Sequence, residues 1–117
     1  MLTRRVLEEI RGKLAGRTPV TRFAPSPTGY LHLGHVVNAL HVWGIAHAVG
    51  GQVVLRLENH DRTRCKPAYE EAILQDLEWL GLAPDLGKPS AFRGGRTEYR
   101  QSDCEEHYRQ ALEVLRS

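Results

Sequence analysis

Three strong breakers within five residues, Pro25, Pro27 and Gly29, separate a short apolar run from a long one, and this punctuation restricts the fold more than any other stretch. Neither a strand ladder nor a helix passes through Pro25-Ser26-Pro27, so the chain has to turn there. Before the turn, Val20 to Ala24 reads as a strand bounded by Pro19 and Pro25. Val20, Arg22 and Ala24 fall on one side of it, Thr21 and Phe23 on the other. After the turn, Val36, Val37, Leu40, Trp43, Ile45 and Ala46 recur at a mostly helical spacing up to Gly50-Gly51. A helix therefore starts between His32 and His35 and ends before that glycine pair. Its first turn carries two imidazoles three residues apart, on one face, beside the amide groups and positive dipole end that favour a phosphate. The residues point to nucleotide binding.

Gln52 to Glu58 is a nearly continuous apolar run, the mark of a strand covered on both faces. Strand, helix and strand then form a right-handed βαβ unit with parallel strands, and ligands gather outside their carboxyl ends. Ser26, His32, His35 and Glu58 all fall at that end. An arginine such as Arg22 near the end of a buried strand needs a carboxylate, and Glu58 and Asp61 are the internal candidates.

The rest of the chain supplies cover. Leu2, Val6, Leu7, Ile10 and Leu14 predict an amphipathic helix over residues 3–15, stopped by Gly16. Lys66 to Leu80 predicts a helix with Pro67 near its start, Tyr69, Ala72, Ile73, Leu77 and Leu80 on one face and Gly81 at its stop. Residues 83–98 are expected to form a surface loop. Ser102 or Asp103 is expected to cap a last helix that buries Tyr108, Leu112 and Leu115.

No apolar run approaches the ~20 residues that span a bilayer, and Arg4, Arg5, Glu8, Glu9 and Arg11 interrupt any leader-like core, so a cytoplasmic location is expected. Cys65 and Cys104 have no metal-ligand spacing and are expected as free thiols, and no metal site is assigned. Net charge is only +2, yet 13 of the 16 basic residues are arginine, the type suited to forked contacts with carboxylate or phosphate. Arg62/Arg64 and Arg93/Arg96/Arg100 are the clusters from which RNA contacts would come.

Ala24-Pro25-Ser26-Pro27-Thr28-Gly29 followed by His32-Leu33-Gly34-His35 resembles the ATP-site "HIGH" signature of class I aminoacyl-tRNA synthetases. With Arg22-Phe23 before it, the run resembles the glutamyl group of that class, which holds glutamyl-tRNA synthetases and glutamyl-queuosine tRNA(Asp) synthetases. Glu58-Asn59-His60-Asp61-Arg62-Thr63-Arg64 is similar to the group's E-D-x-D-R-x-R segment, with Asn59 where an aspartate is usual. Ile73 to Leu82 and Tyr99-Arg100-Gln101-Ser102 are similar to two further segments of the group, and the first similarity implies a stretch that packs on the sheet as core, Trp79 included. The resemblance implies an α/β fold, the first half of a Rossmann-like parallel-sheet nucleotide-binding catalytic domain over residues 19–117, with residues 1–18 as an extra helical extension. It also implies that the chain is part of a longer enzyme, since the lysine-rich second signature of the class is not among these residues.

The implied reaction is ATP-dependent activation of glutamate to glutamyl-adenylate and its transfer to tRNA. The resemblance assigns His32 and His35 as catalytic residues on the ATP phosphates, and Ser26, Thr28 and Gly34 as further ATP-binding positions. It assigns Arg22, Ala24, Ser26 and Glu58 to glutamate, and Asp61 and Arg64 to tRNA. ATP is the implied cofactor, with Mg²⁺ accompanying it. Three other readings compete: glutamyl-queuosine formation on tRNA(Asp), a non-catalytic ATP-binding scaffold, and a zinc protein using His32, His35, His60 and Cys65. A Walker-type NTPase is disfavoured because G-x-x-x-x-G-K-[ST] is absent.

Overall fold

In the computed structural model, which describes residues 3–117, proline or glycine follows closely on the ends of the first four helices and of the first strand. Thr3 caps α1 (Arg4–Leu14), its side chain accepting from the Val6 amide. Next come β1 (Val20–Phe23), α2 (Leu33–Ala48), β2 (Gln52–Leu55) and α3 (Pro67–Trp79). A short α4 (Pro89–Arg93), a 3₁₀ turn at Gln101–Cys104 and α5 (Glu105–Arg116) complete the chain. Leu2, the first apolar position predicted for α1, lies outside the described residues.

β1 and β2 pair in parallel, Val20 against Gln52 through Phe23 against Leu55. Regular pairing was expected to reach Glu58, yet β2 ends at Leu55. The neighbouring chain explains the difference, because beyond Phe23 it enters Pro25 and Pro27, which have no N–H to give. Bonding continues from one side only, the Arg56 amide donating to the Phe23 carbonyl and the Glu58 amide to the Pro25 carbonyl. On its other side β2 is completed by two separate pieces, a parallel bridge of Val54 with Leu86 and one of Leu57 with Arg100. The central segment of the sheet is thus residues 52–57, and Val53, Leu55 and Leu57 are 2% exposed or less.

Those bridges correct the expectation of a bare surface loop over 83–98. Within it, Pro84 and Gly87 are buried, and Phe92 on α4 is 4% exposed and joins the core. Gly87 has φ +69°, and a Cβ there would sit 2.2 Å from the Leu55 carbonyl oxygen. Gly87→Ala is therefore expected to pry the Leu86 bridge off β2 and cost about 2–4 kcal/mol, measured by urea unfolding.

Helix α2 lies against the sheet through small residues, Ala39 and Ala46, both 1% exposed. Trp43 meets Phe23 edge-on at 5.6 Å, and its Nε1 donates to the Ala83 carbonyl at 3.0 Å. From α3, Ile73, Leu74 and Leu77 are buried, whereas Trp79, expected in the core, is 85% exposed. Trp79 follows Leu77 by two positions, roughly 200° around the helix, which points it away from the sheet. α1 lies on the surface, and the Arg11 guanidinium donates to the Ala48 carbonyl at the C-terminal end of α2. The expected burial of Tyr108, Leu112 and Leu115 is also corrected: they are 43%, 52% and 82% exposed. Helical spacing put them on one stripe, but no other described element covers that stripe.

Candidate active site

The turn after β1 is braced by the segment after β2. The Pro25 carbonyl accepts from the Glu58 amide at 3.1 Å, and the Pro27 carbonyl accepts from the Lys66 amide at 3.2 Å. Pro27 is fully buried, so the turn is anchored by packing as well as by hydrogen bonds. Ser26 is exposed, Ala24 and Thr28 are half-buried, and the Thr28 amide donates to the Ser26 carbonyl at 2.8 Å. These residues reach outward at the carboxyl end of the two parallel strands.

α2 begins there with a reciprocal cap made by the two histidines. His32 Nδ1 accepts from the Gly34 amide, and His35 Nδ1 accepts from the His32 amide, each at 3.1 Å. The ring centroids lie 3.9 Å apart. Two orphan amides of a helix start are satisfied this way, and the chemical consequence is larger. An Nδ1 that accepts cannot carry a proton, so each neutral ring holds its proton on Nε2, as a donor. Gly34 allows this, because a Cβ at that position would stand 2.9 Å from the His32 ring. The expectation of free helix-end amides needs correction, since the Gly34 amide is taken by His32 Nδ1 and the His35 amide bonds the His32 carbonyl at 2.9 Å. The site offers imidazole N–H groups in their place.

Burial, and then the neighbouring His32, push the His35 imidazole below its ordinary value of 6.5. A folded ring that binds its proton less readily than the unfolded one stabilises the fold fully above that ordinary value. The stabilisation is lost as pH falls through the folded value. The thermal midpoint is therefore expected to drop on acidification below about pH 6.5, and His35→Gln, which keeps an acceptor for the His32 amide, should flatten that part of the curve.

Arg22 and Glu58 come to the same side of the sheet, 3.8 Å apart. The Arg22 side chain is 63% exposed, which corrects the picture of a buried arginine. Glu58 Oε1 accepts from a second arginine, Arg56, at the shorter distance of 2.9 Å, and Arg56 Nη2 reaches Tyr108 Oη on α5 at 2.5 Å. Arg56 is not among the site residues expected above. The signal was present, because residues two apart on an extended segment share a face and Arg56 stands two before Glu58.

Asn59, the departure from the usual aspartate, makes a two-way bond with Ser102: its Nδ2 donates to Ser102 Oγ and its Oδ1 accepts from the Ser102 amide, each at 2.8 Å. Asp61 and Arg64 come together at 3.9 Å, and Thr63 Oγ1 donates to Asp61 at 2.7 Å, which leads in lowering the Asp61 carboxyl below its ordinary range. A cavity of about 450 Å³ opens between Pro27, Asn59, Arg62, Cys65, Lys66 and Glu70. Two of the arginines suggested for RNA are already committed. Arg93 grips Glu71 and Glu78, each at 2.7 Å, and Arg100 grips Glu70 and Asp103. Arg62 and Arg64 stay about two-thirds exposed or more, with loose pairs at 3.4 and 3.9 Å. No group of three metal-ligating side chains forms among the described residues, which counts against the zinc reading.

Comparison with known proteins identifies the family. Residues 19–116 match the family model described as tRNA synthetases class I (E and Q), catalytic domain. A glutamate–tRNA ligase 2 of Cereibacter sphaeroides is 48% identical over 99 residues, 85% of this chain and 20% of that protein. A glutamyl-Q tRNA(Asp) synthetase of Rhodobacter capsulatus is 47% identical over 96 residues, 82% of this chain and 31% of that protein. Among solved structures, a glutamate tRNA ligase from Elizabethkingia meningosepticum, in complex with its amino acid, superposes with a TM-score of 0.71 at 40% identity. It covers 86% of this chain, which spans 20% of that one. The chain spans about a fifth of the length of the first of these relatives.

Proposed function

Because the chain belongs to the catalytic-domain family of class I tRNA synthetases for glutamate and glutamine, we propose that it provides the ATP- and glutamate-facing part of a ligase that charges tRNA with glutamate. An oxygen of the glutamate α-carboxylate attacks the α-phosphorus of ATP, the bond to the bridging oxygen breaks, and pyrophosphate leaves. A terminal hydroxyl of tRNA then attacks the carbonyl carbon of the adenylate, and AMP leaves. No side-chain nucleophile takes part, so positioning and charge stabilisation carry the rate.

The paired imidazoles at the start of α2 are the single observation that carries this reading. His32 and His35 donate through Nε2 to phosphate oxygens as charge grows at phosphorus. Gly34 keeps the His32 ring in place, while Ser26 and Thr28 line the entry for ATP. Arg22 receives a glutamate carboxylate. Glu58 receives the ammonium group through Oε2, the oxygen that neither arginine contact uses, and Ala24 lines the same pocket. Asp61 and Arg64, on the exposed segment after Glu58, face the tRNA end. Mg²⁺ enters as part of the ATP complex, held by phosphates and water. The described part of the N-terminal segment, residues 3–18, serves as an extension to this unit. The location is cytoplasmic, in keeping with the lack of any helix among the described residues long and apolar enough to cross a membrane.

The near-equal identity to the Rhodobacter capsulatus protein favours a second reading, transfer of the activated glutamate to queuosine of tRNA(Asp). Glutamate-dependent ATP–pyrophosphate exchange by the protein carrying these residues tests what the two share, and charging of tRNA(Glu) against tRNA(Asp) separates them. Exchange with glutamate and charging of tRNA(Glu) are expected. ATP binding without exchange would leave the scaffold reading instead.

A further inference from the structure

Glu58 is shared unequally between two arginines. Arg56 Nε holds its Oε1 at 2.9 Å, within hydrogen-bond distance, while Arg22 Nη1 stands at 3.8 Å, too far for one. Arg56 is in turn fixed from the other side by Tyr108 Oη on α5, and its side chain is 24% exposed against 63% for Arg22. One guanidinium is therefore committed within the protein on both its Nε and Nη2 edges, and the other stands open beside it.

Two guanidiniums facing one carboxylate leave an excess of one positive charge, and the distances say where it is available. Glu58 spends its short contact on Arg56, so the fork of Arg22 keeps its donors for an incoming carboxylate. Without Arg56, the only cation left within 4 Å of Glu58 among the described residues is Arg22 itself. Glu58 would then close on Arg22, and a ligand carboxylate would have to displace it.

We infer that Arg56, pinned from α5 by Tyr108, is a positioning and specificity-determining residue: it keeps Glu58 off Arg22, so that Arg22 selects an acidic amino acid over its neutral amide. This deepens the proposed function and rests on it for the identity of the ligand. Arg56 does not touch the ligand, and its effect passes through Glu58.

Arg56→Gln, Arg56→Lys and Tyr108→Phe test the inference in the protein carrying these residues. In pyrophosphate exchange, Arg56→Gln is expected to raise KM for glutamate roughly 10- to 50-fold while KM for ATP stays within about twofold. The preference for glutamate over glutamine should fall alongside. Arg56→Lys, which restores the charge beside Glu58, should recover most of the loss. Tyr108→Phe, at a half-exposed position, should move KM for glutamate in the same direction by about threefold. Equal rises in both KM values, or no recovery with lysine, would mark Arg56 as structural and overturn the inference.

A second readout does not depend on activity. In nitrogen-15 spectra of the arginine side chains, the Arg56 Nε–H should exchange slowly with solvent in the unmodified protein and the Arg22 guanidinium quickly. In Arg56→Gln the Arg22 guanidinium should become protected as Glu58 closes on it. If Arg22 is unchanged in that variant, the inference fails even where exchange activity is normal. If the spectra behave as expected but glutamate supports no exchange, the fault lies with the proposed function.

Discussion

Replacing Arg100 with alanine is expected to remove about 2–3 kcal/mol of folding stability, the cost of breaking a part-buried ion network from one side. Arg100 is 15% exposed and meets Glu70 and Asp103, themselves only 17% and 18% exposed. The same guanidinium donates to the Gly95 carbonyl at 2.7 Å and the Phe92 carbonyl at 2.8 Å. The Leu57–Arg100 bridge also ties this residue to the sheet, through the Leu57 amide donating to the Tyr99 carbonyl and the Gln101 amide donating to the Leu57 carbonyl. Alanine would leave two carboxylates half desolvated without a cation and two carbonyls without a donor. Arg100→Lys keeps the charge but not the fork, so its loss should fall between alanine and the native chain. Urea unfolding followed by circular dichroism measures both.

The second large effect is on catalysis, and it separates the two jobs of His32. Asparagine at this position is a good helix cap, so His32→Asn should keep the start of α2 and the thermal midpoint close to native. It cannot offer the Nε2 donor at the same reach. Loss of one such donor costs about 10²- to 10³-fold in kcat where charge develops in the transition state. His32→Ala should show the same kinetic loss together with about 1 kcal/mol of lost stability, because the Gly34 amide then has no acceptor. Exchange kinetics and thermal unfolding on both variants read the two effects independently.

What the sequence made legible follows from how local each signal is. Pro25, Pro27 and Gly29 dictate a turn whatever surrounds them, and the helical spacing after His35 is a property of neighbours, so β1, α2, β2 and the paired imidazoles were readable. Sequence alone left out what depends on pairing across the chain. Asn59 and Ser102 are 43 positions apart, and only the fold makes them partners. α4 is five residues long, too short for a period to register. The apolar stripe of α5 shows the opposite limit: spacing tells which residues share a face and is silent on whether anything lies against it. The arginines fail for a chemical reason, since the fork that suits phosphate suits carboxylate equally. Arg93 and Arg100 turned out to serve carboxylates of this chain.

Triphosphate and acidic amino acid are proposed to meet at one edge of a parallel sheet, between the imidazole-capped start of α2 and the Arg22–Glu58 pair. A crystal structure of the protein with a non-hydrolysable glutamyl-adenylate analogue tests this most directly. The account predicts the phosphate-mimicking group within hydrogen-bond distance of His32 and His35 Nε2, and a carboxylate of the analogue on the Arg22 guanidinium. An analogue seated instead in the cavity between Asn59, Arg62 and Lys66, with both imidazoles uncontacted, would contradict it.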